Sequence, residues 1–169
     1  GELEGVVYEE MSYEGYGPNG IAILIEVITD NKNRTVSELR HILSKNNGNL
    51  AEPGSVVWMF ERKGEILISD FHGDEEKLFE DILDSGADNF EIAQKNVMVT
   101  TDQSNLLKSR DLLESIGYQI KSADLVMIPK STQEIDGDDQ VKIVNLMEMI
   151  DNHDDVNNVY SNFIFSSDI

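Results

Sequence analysis

The stretch GEILISDFHGDEEKLFEDILDSG, residues 64–86, joins the pattern of a strand to that of a helix. Its first part is rich in aliphatic residues over the length of a strand, which predicts a strand over 64–71. Its second part begins with acidic residues and ends at Gly86, as a helix does. We expect one side of this helix to face the core, formed by Leu78, Phe79, Ile82 and Leu83.

The segments that follow repeat this alternation. NFEIAQKNVMVTT predicts two short strands broken around residues 94–96, and SNLLKSRDLLESIG predicts a helix that ends at Gly117. YQIKSADLVMIP then predicts a strand that ends at Pro129. From Lys63 to Pro129 the order is therefore β-α-β-β-α-β, which is the ferredoxin-like unit with two helices on one face of an antiparallel sheet.

The two flanks of this unit contain further strands and two more helices. We predict strands over 3–13, 21–29, 55–60 and 156–165 and a helix over 138–152, whose inward residues are Ile143, Leu146, Met147 and Ile150. Trp58, in the apolar run SVVWMF, is expected in the core. Neither flank can bury a core alone, so we expect the two to pair across the insertion. The predicted fold class is α+β, with a ferredoxin-like domain, 62–130, inserted into a discontinuous sandwich-like α+β domain, 1–61 plus 131–169.

One helix is predicted between the second and third of these strands. In TVSELRHILSKNNG, Thr35 and Glu38 have the spacing of a capping box, and Gly48 supplies a C-terminal stop. This assignment places Lys32 and Arg34 in the loop before the helix, beside its N terminus, where both side chains could reach a phosphate.

The charge of the chain is strongly negative, with 33 acidic residues against 13 Lys and Arg and a net charge of −20. Phosphate backbones and anionic membranes repel such a chain at long range. The segment from Asn31 to Lys63 differs, because it has six basic residues against three acidic ones. It is either an ordinary solvated surface or a patch that faces an anion or RNA. The candidate contacts are Lys32, Asn33, Arg34, Arg40, Lys45, Arg62 and Lys63.

Several other classes of site are disfavoured by the sequence. Cysteine is absent, and no Ser, His and Asp pattern marks a nucleophile, so we expect no enzyme activity. Gly15, Gly17 and Gly20 match a dinucleotide fingerprint, but a strand pattern rather than a helix follows them, which indicates a hairpin loop. The run 151–162 resembles a calcium loop but lacks its glycine and its final glutamate. We therefore expect no cofactor, no metal and, without a long apolar run, no membrane partner.

The stretch YEEMSYEGYGPNGIAILIEVITDNKNRTVSELRHILSKNNGNLAEPGSVVWMFERKG, residues 8–64, closely resembles the YebC/PmpR family. The resemblance lies in YEGYGP-x-G, in TDN-x-NRT and in the GSV-x-x-x-F that follows. The first motif defines a family loop, formed by Tyr13, Glu14, Gly15, Tyr16, Gly17, Pro18 and Gly20.

The resemblance implies a function as well as a fold. The family contains probable transcriptional regulators and a mitochondrial translational activator, and its members have a basic helical N-terminal domain that this chain is expected to lack. We expect a non-enzymatic regulator of gene expression, either a ribosome-associated translation factor, which we favour, or a DNA-binding transcriptional regulator. An acidic protein-interaction module is a further alternative. The implied partner is ribosomal RNA or promoter DNA, bound with help from the basic domain, in the cytoplasm or in the mitochondrial matrix of a eukaryote.

Overall fold

A computed structural model describes residues 5–166 and shows two compact units. One unit contains the described residues up to Phe60 and those from Pro129 onward, and the other is Glu61–Ile128. In chain order the strands are β1 Glu9–Tyr16, β2 Ala22–Thr29, β3 Asn49–Ala51, β4 Phe60–Ile68, β5 Asn89–Ala93, β6 Asn96–Asp102, β7 Ile120–Pro129, β8 Gln133–Ile135, β9 Val156–Ser161 and β10 Phe163–Phe165. The helices are α1 Lys32–Lys45, α2 Glu75–Asp84, α3 Leu106–Ile116 and α4 Asp138–Asp151.

The discontinuous unit is built on an antiparallel sheet with the strand order β3-β1-β2-β9. Alternate residues of the β2 region, from Ile21 to Val27, are buried against α1 and α4 because one face of a strand presents every second side chain. The helices contribute Leu39, Leu43, Ile143, Leu146 and Ile150 to this core. β8 and β10 form a separate parallel pair. Residues from both flanks of the chain thus form a single core.

The inserted unit has the strand order β5-β6-β4-β7, with β4 antiparallel to β6 and β6 antiparallel to β5. Its first strand therefore lies between its third and fourth, as in a split β-α-β arrangement. The apolar residues of α2 and α3 pack on one face of the sheet, over Ile66, Ile68, Val97 and Val99. The predicted α+β class with a ferredoxin-like unit is confirmed.

Three strand predictions are wrong in detail. β1 begins at Glu9 and runs to Tyr16, so it is shifted toward the family loop, while Leu3 and Glu4 of the predicted strand lie outside the described residues. SVVWMF is not a strand, because Val57–Met59 forms a 3-10 helix and β4 begins at Phe60. The last strand is broken at Asn162, whose side chain accepts a hydrogen bond from the Ala22 amide at 2.9 Å.

The consequences for individual side chains are clear. Trp58 is 65 % exposed and does not lie in the core. Arg62 and Lys63, which fall between the predicted strands 55–60 and 64–71, lie inside β4. Phe79 and Leu83, predicted to face inward, are half exposed, and the Phe79 ring meets Phe90 edge-on with the centroids 5.9 Å apart. Of the residues predicted to face inward on α4, Met147 is only partly buried.

The start of α1 also differs from the prediction. The helix begins at Lys32, and the N-cap is Asn31, whose side chain accepts a hydrogen bond from the Arg34 amide at 3.1 Å. Lys32 and Arg34 are thus in the first helical turn and not in a preceding loop. Thr35 is buried inside the helix. Asn and Thr are both favourable N-cap residues, and the tertiary contacts of Thr35 place it inside the helix, so Asn31 is the cap.

Gly48, after the end of α1, is required by a close approach of two backbone segments. A methyl group at this position would overlap the carbonyl oxygen of Tyr16, and a backbone atom cannot move aside as a side chain can. We expect Gly48→Ala to lower the free energy of unfolding by about 1–3 kcal/mol in urea titrations. The control is Gly20→Ala, where φ is +73° but space is open, and its expected loss of about 1 kcal/mol reflects backbone strain alone. Equal losses in the two variants would contradict the overlap.

Candidate nucleic-acid interface

α1 is the helix on which positive charge accumulates. Its sequence holds Lys32, Arg34, Arg40 and Lys45 against the single acid Glu38, whereas α2 holds five acids and one lysine. Lys32, Arg40 and Lys45 are exposed, and within residues 5–166 no ion pair joins them to a carboxylate. These three ammonium and guanidinium groups, together called the α1 cations below, are therefore available to an anionic partner.

Arg34 has a different environment from the α1 cations. Its guanidinium lies 2.9 Å from Asp155, 3.3 Å from Asp30 and 3.4 Å from Glu38. The hydrogen bond to Asp155 is the main reason that the pKa of Arg34 is raised above its ordinary value, and Asp30 adds to the effect. Its charge is already compensated within the fold. The neighbouring Asn33 is exposed.

Asp155 ties the loop before β9 to the start of α1. Its carboxylate accepts hydrogen bonds from the Thr35 hydroxyl at 2.7 Å and from Arg34 at 2.9 Å, and its side chain is only 13 % exposed. Burial raises the pKa of Asp155, but these two hydrogen bonds and the nearby positive charges outweigh it, so the net pKa is lowered. The carboxylates of Asp155 and Asp30 thus lie beside the first turn of α1, where both pair with Arg34.

The lowered pKa of Asp155 leads to a prediction on pH dependence. A carboxylate with a depressed pKa in the folded state adds stability above its unfolded pKa of about 3.9, and this stability is lost as the pH falls through the folded pKa. We expect Asp155→Asn to cost about 1–3 kcal/mol at neutral pH and progressively less below about pH 4. Urea unfolding at several pH values measures this, with the exposed neighbour Asp154→Asn as the control. A loss from Asp155→Asn that is independent of pH would contradict the assignment.

The remaining two candidates lie on β4 in the inserted unit. Lys63 is 2.9 Å from Asp88 and 3.9 Å from Glu61, and the hydrogen bond to Asp88 is the main reason that its pKa is raised. Arg62 is exposed on the same strand. The seven predicted contacts are therefore divided between the units, with five on α1 and two on β4.

Glu14, in the family loop, anchors a distant loop by its carboxylate. It accepts backbone hydrogen bonds from Gly54 at 2.6 Å, Val56 at 2.8 Å and Val57 at 2.7 Å, and its side chain is buried. Burial raises the pKa of Glu14, but the hydrogen bonds from the three amides outweigh burial. The net pKa is lowered, so the carboxylate is charged at neutral pH. The loop from Glu52 to Met59, called the clamped loop below, is fixed to β1 in this way.

The glycines of the family loop serve close packing more than turn geometry. A methyl group on Gly15 would lie 2.8 Å from the carbonyl oxygen of Asn49, and one on Gly17 would lie 3.0 Å from two isoleucine side chains. Only Gly20 of the three has a positive φ. β2 follows directly, so the predicted hairpin is confirmed and the helix that a dinucleotide site requires does not follow it. Of the other members, Pro18 is buried, and Tyr13 and Tyr16 lie on β1.

Trp58 and Lys130 are both exposed, and Lys130 contacts the residue that follows Trp58, which the sequence did not indicate. The indole N–H of Trp58 donates to the carbonyl of Ser55 at 2.8 Å, and the backbone amide of Lys130 donates to the carbonyl of Met59 at 2.9 Å. The apolar run SVVWMF suggested a buried strand. The preceding Pro53 and Gly54 were the only signal of a turn that could carry Trp58 to the surface.

The inserted unit also contains an open cleft of about 540 Å³, lined by residues 68–73 and 117–119. It holds one exposed pair, with His72 at 2.8 Å from Asp70. In the described part of the chain no three His, Asp or Glu side chains are grouped so that they could hold a metal ion. No helix between residues 5 and 166 has both the length and the apolar character to span a bilayer.

Comparisons with known proteins agree with this architecture. A family model described as the second and third domain of TACO1/YebC matches residues 8–163. A probable transcriptional regulatory protein of Dictyoglomus turgidum is 45 % identical over 100 % of this chain and 68 % of its own length. A protein of the same description from Geobacter sulfurreducens is 46 % identical over 99 % of this chain and 68 % of its own. The crystal structure of a conserved hypothetical protein from Aquifex aeolicus matches with a TM-score of 0.88 at 36 % identity, covering 97 % of this chain and 68 % of that one.

Proposed function

The chain belongs to the TACO1/YebC family, and on that basis we propose that it is a non-enzymatic regulator of gene expression that binds nucleic acid. The names of its curated relatives support regulation without separating transcription from translation. We propose a ribosome-associated translation factor, with ribosomal RNA as the partner and the cytoplasm as the place of action. A basic domain outside this chain, which the family resemblance implies, would add to the affinity.

The observation that carries this proposal is the position of the α1 cations on an otherwise acidic chain. Contacts to phosphates come mainly from exposed Lys and Arg, and they fix position without reading sequence. Acidic surfaces elsewhere repel phosphate, so they restrict how the chain can approach RNA. A basic helix on an acidic chain suits a partner whose phosphates have fixed positions, and a ribosome is such a partner.

The surroundings of the helices also favour RNA over the major groove of DNA. A helix-turn-helix places two consecutive helices on either side of a short turn. In the described chain each of the four α-helices follows a strand, in the case of α3 through a short 3-10 turn, and precedes another strand. Residues 5–166 therefore contain no two consecutive helices joined by a short turn, as a helix-turn-helix requires.

Promoter DNA is the second candidate, because the curated relatives are named probable transcriptional regulatory proteins. Sedimentation with ribosomes through a sucrose cushion, beside a gel-shift assay with promoter-length duplex DNA at the same salt concentration, separates the two. We expect the chain to pellet with ribosomes and to leave the duplex unshifted. A shifted duplex with no ribosome binding would contradict the proposal. A pull-down of protein partners that is unaffected by nuclease would instead favour the acidic protein-interaction module.

A further inference from the structure

We propose that the indole of Trp58 stacks on an unpaired base of single-stranded RNA, and that the ammonium group of Lys130 contacts an adjacent phosphate. This inference rests on the proposed function and adds a base-contacting site that the α1 cations do not provide. Stacking on an aromatic side chain is the usual way in which proteins hold unpaired bases.

The exposure of Trp58 is the first observation behind this site. The side chain leaves 65 % of its surface in contact with solvent, although tryptophan is normally well buried. Its ring N–H is already bound to the Ser55 carbonyl, so the polar edge of the ring is satisfied and its orientation is restricted. An exposed ring in a fixed orientation is suited to contact through its flat surface.

The clamped loop gives the ring a rigid support. Glu14 binds the amides of Gly54, Val56 and Val57, and Val56, within the loop, is fully buried. Because the loop is already ordered, binding a base would cost little additional conformational entropy. The carboxylate is charged but buried, and all three of its hydrogen bonds come from the loop amides, so it is not exposed to an RNA backbone.

Lys130 supplies the charge that distinguishes RNA from an uncharged partner. Its backbone hydrogen bond to Met59 places it beside the residue that follows Trp58, and its side chain is exposed. Residues 5–166 contain no carboxylate in an ion pair with it. Exposed aromatic rings together with basic side chains hold single strands without sequence readout.

The test uses the fact that Trp58 is the only tryptophan of the chain, so tryptophan emission, excited selectively over the tyrosines, reports on this site alone. Dye-labelled oligouridine and oligoadenosine of about twelve nucleotides are titrated at low salt, with a duplex DNA of equal length as the contrast. Anisotropy of the dye measures binding, and tryptophan emission measures stacking. We expect both single strands to bind and to quench the emission, and the duplex to leave the emission unchanged.

Substitutions give a second and independent readout. Trp58→Ala is expected to weaken single-strand binding about tenfold or more, while Trp58→Phe retains most of the affinity. Tyr8→Ala is the control, because it removes a half-exposed aromatic ring before the start of β1. Circular dichroism checks that each variant is folded.

The outcomes separate this inference from the function on which it rests. Binding by anisotropy with unchanged emission, and with equal affinity for Trp58→Ala, would overturn the stacking site and leave the proposed function standing. Equal quenching by the duplex would also overturn it, because an unpaired base is then not required. If neither strand binds even at low salt, RNA binding by this chain fails, and the stacking site fails with it.

Discussion

Glu14→Ala is expected to lower the free energy of unfolding by about 3 kcal/mol at neutral pH, and to release the clamped loop. The carboxylate accepts three backbone hydrogen bonds in a buried position, and a buried donor left without a partner costs about 1–3 kcal/mol. Val56 is fully buried, so its amide cannot turn to water unless the loop detaches. Chemical denaturation gives the loss, and hydrogen exchange shows where it arises, at the amides of Gly54, Val56 and Val57.

Two further variants sharpen this test. Glu14→Gln keeps an oxygen for Val56 and Val57 but places an amide group against Gly54, so we expect a loss between those of the alanine variant and the parent. Glu10→Ala removes an exposed carboxylate from the same strand and is expected to change stability by less than about 0.5 kcal/mol. Fast exchange at the three amides in the parent protein, or a loss for Glu14→Ala no larger than that for Glu10→Ala, would contradict the role of Glu14.

The contribution of Glu14 also depends on pH. Its pKa is lowered in the folded state, so its stabilisation is complete above the unfolded pKa of about 4.3 and is lost as the pH falls through the folded pKa. The difference between the parent and Glu14→Ala should therefore shrink in acid. Asp155 acts in the same direction, and together they predict that the discontinuous unit loses stability below about pH 4.

Strands and helices with strong periodicity could be predicted from the sequence. The alternation in GEILISDF, the acidic start and glycine end of α2, and the β-branched run of β2 each reflect local preference and core burial acting together. The order of elements then gave the ferredoxin-like unit, because few topologies accept β-α-β-β-α-β.

Features set by contacts between distant residues could not be predicted. Thr35 looked like a helix cap, but its hydroxyl bonds to Asp155, which lies 120 positions away. Trp58 looked like a core residue, but a carboxylate from β1 fixes its loop at the surface. Neither partner is visible in the local pattern that suggested the assignment.

The predicted basic patch shows the same limit for the site. Counting cations along residues 31–63 located α1, but ion pairs with residues far away in the chain separate the compensated Arg34 and Lys63 from the α1 cations. Asp155 and Asp88, which make these pairs, lie outside the segment that was counted. Charge composition therefore indicated the region, and only the folded contacts select the residues within it.

Reversal of the α1 cations is the second prediction with a large expected effect. The triple variant Lys32→Glu, Arg40→Glu and Lys45→Glu is expected to weaken ribosome binding by about 10- to 100-fold, from the loss of three surface charge contacts. The dependence of log affinity on log salt should become shallower by about two to three units, because fewer counterions are released. The fold should be unaffected, since all three side chains are exposed and outside ion pairs in the described chain.

A matched control holds the net charge constant. Lys95→Glu, Lys108→Glu and Lys121→Glu change the same number of exposed lysine or arginine charges, on the inserted unit rather than on the unit that contains α1. If repulsion by total charge governs binding, the two triple variants weaken it equally. If α1 is the contact, only the variant with the reversed α1 cations binds ribosomes more weakly.

The measurement that tests the central claim most directly is the fraction of each of these three proteins that pellets with ribosomes at a fixed, moderate salt concentration. We predict that the parent chain and the control variant pellet to the same extent and that the α1 variant stays in the supernatant. Pelleting of the α1 variant with the parent would contradict the assignment of α1 as the surface that binds RNA.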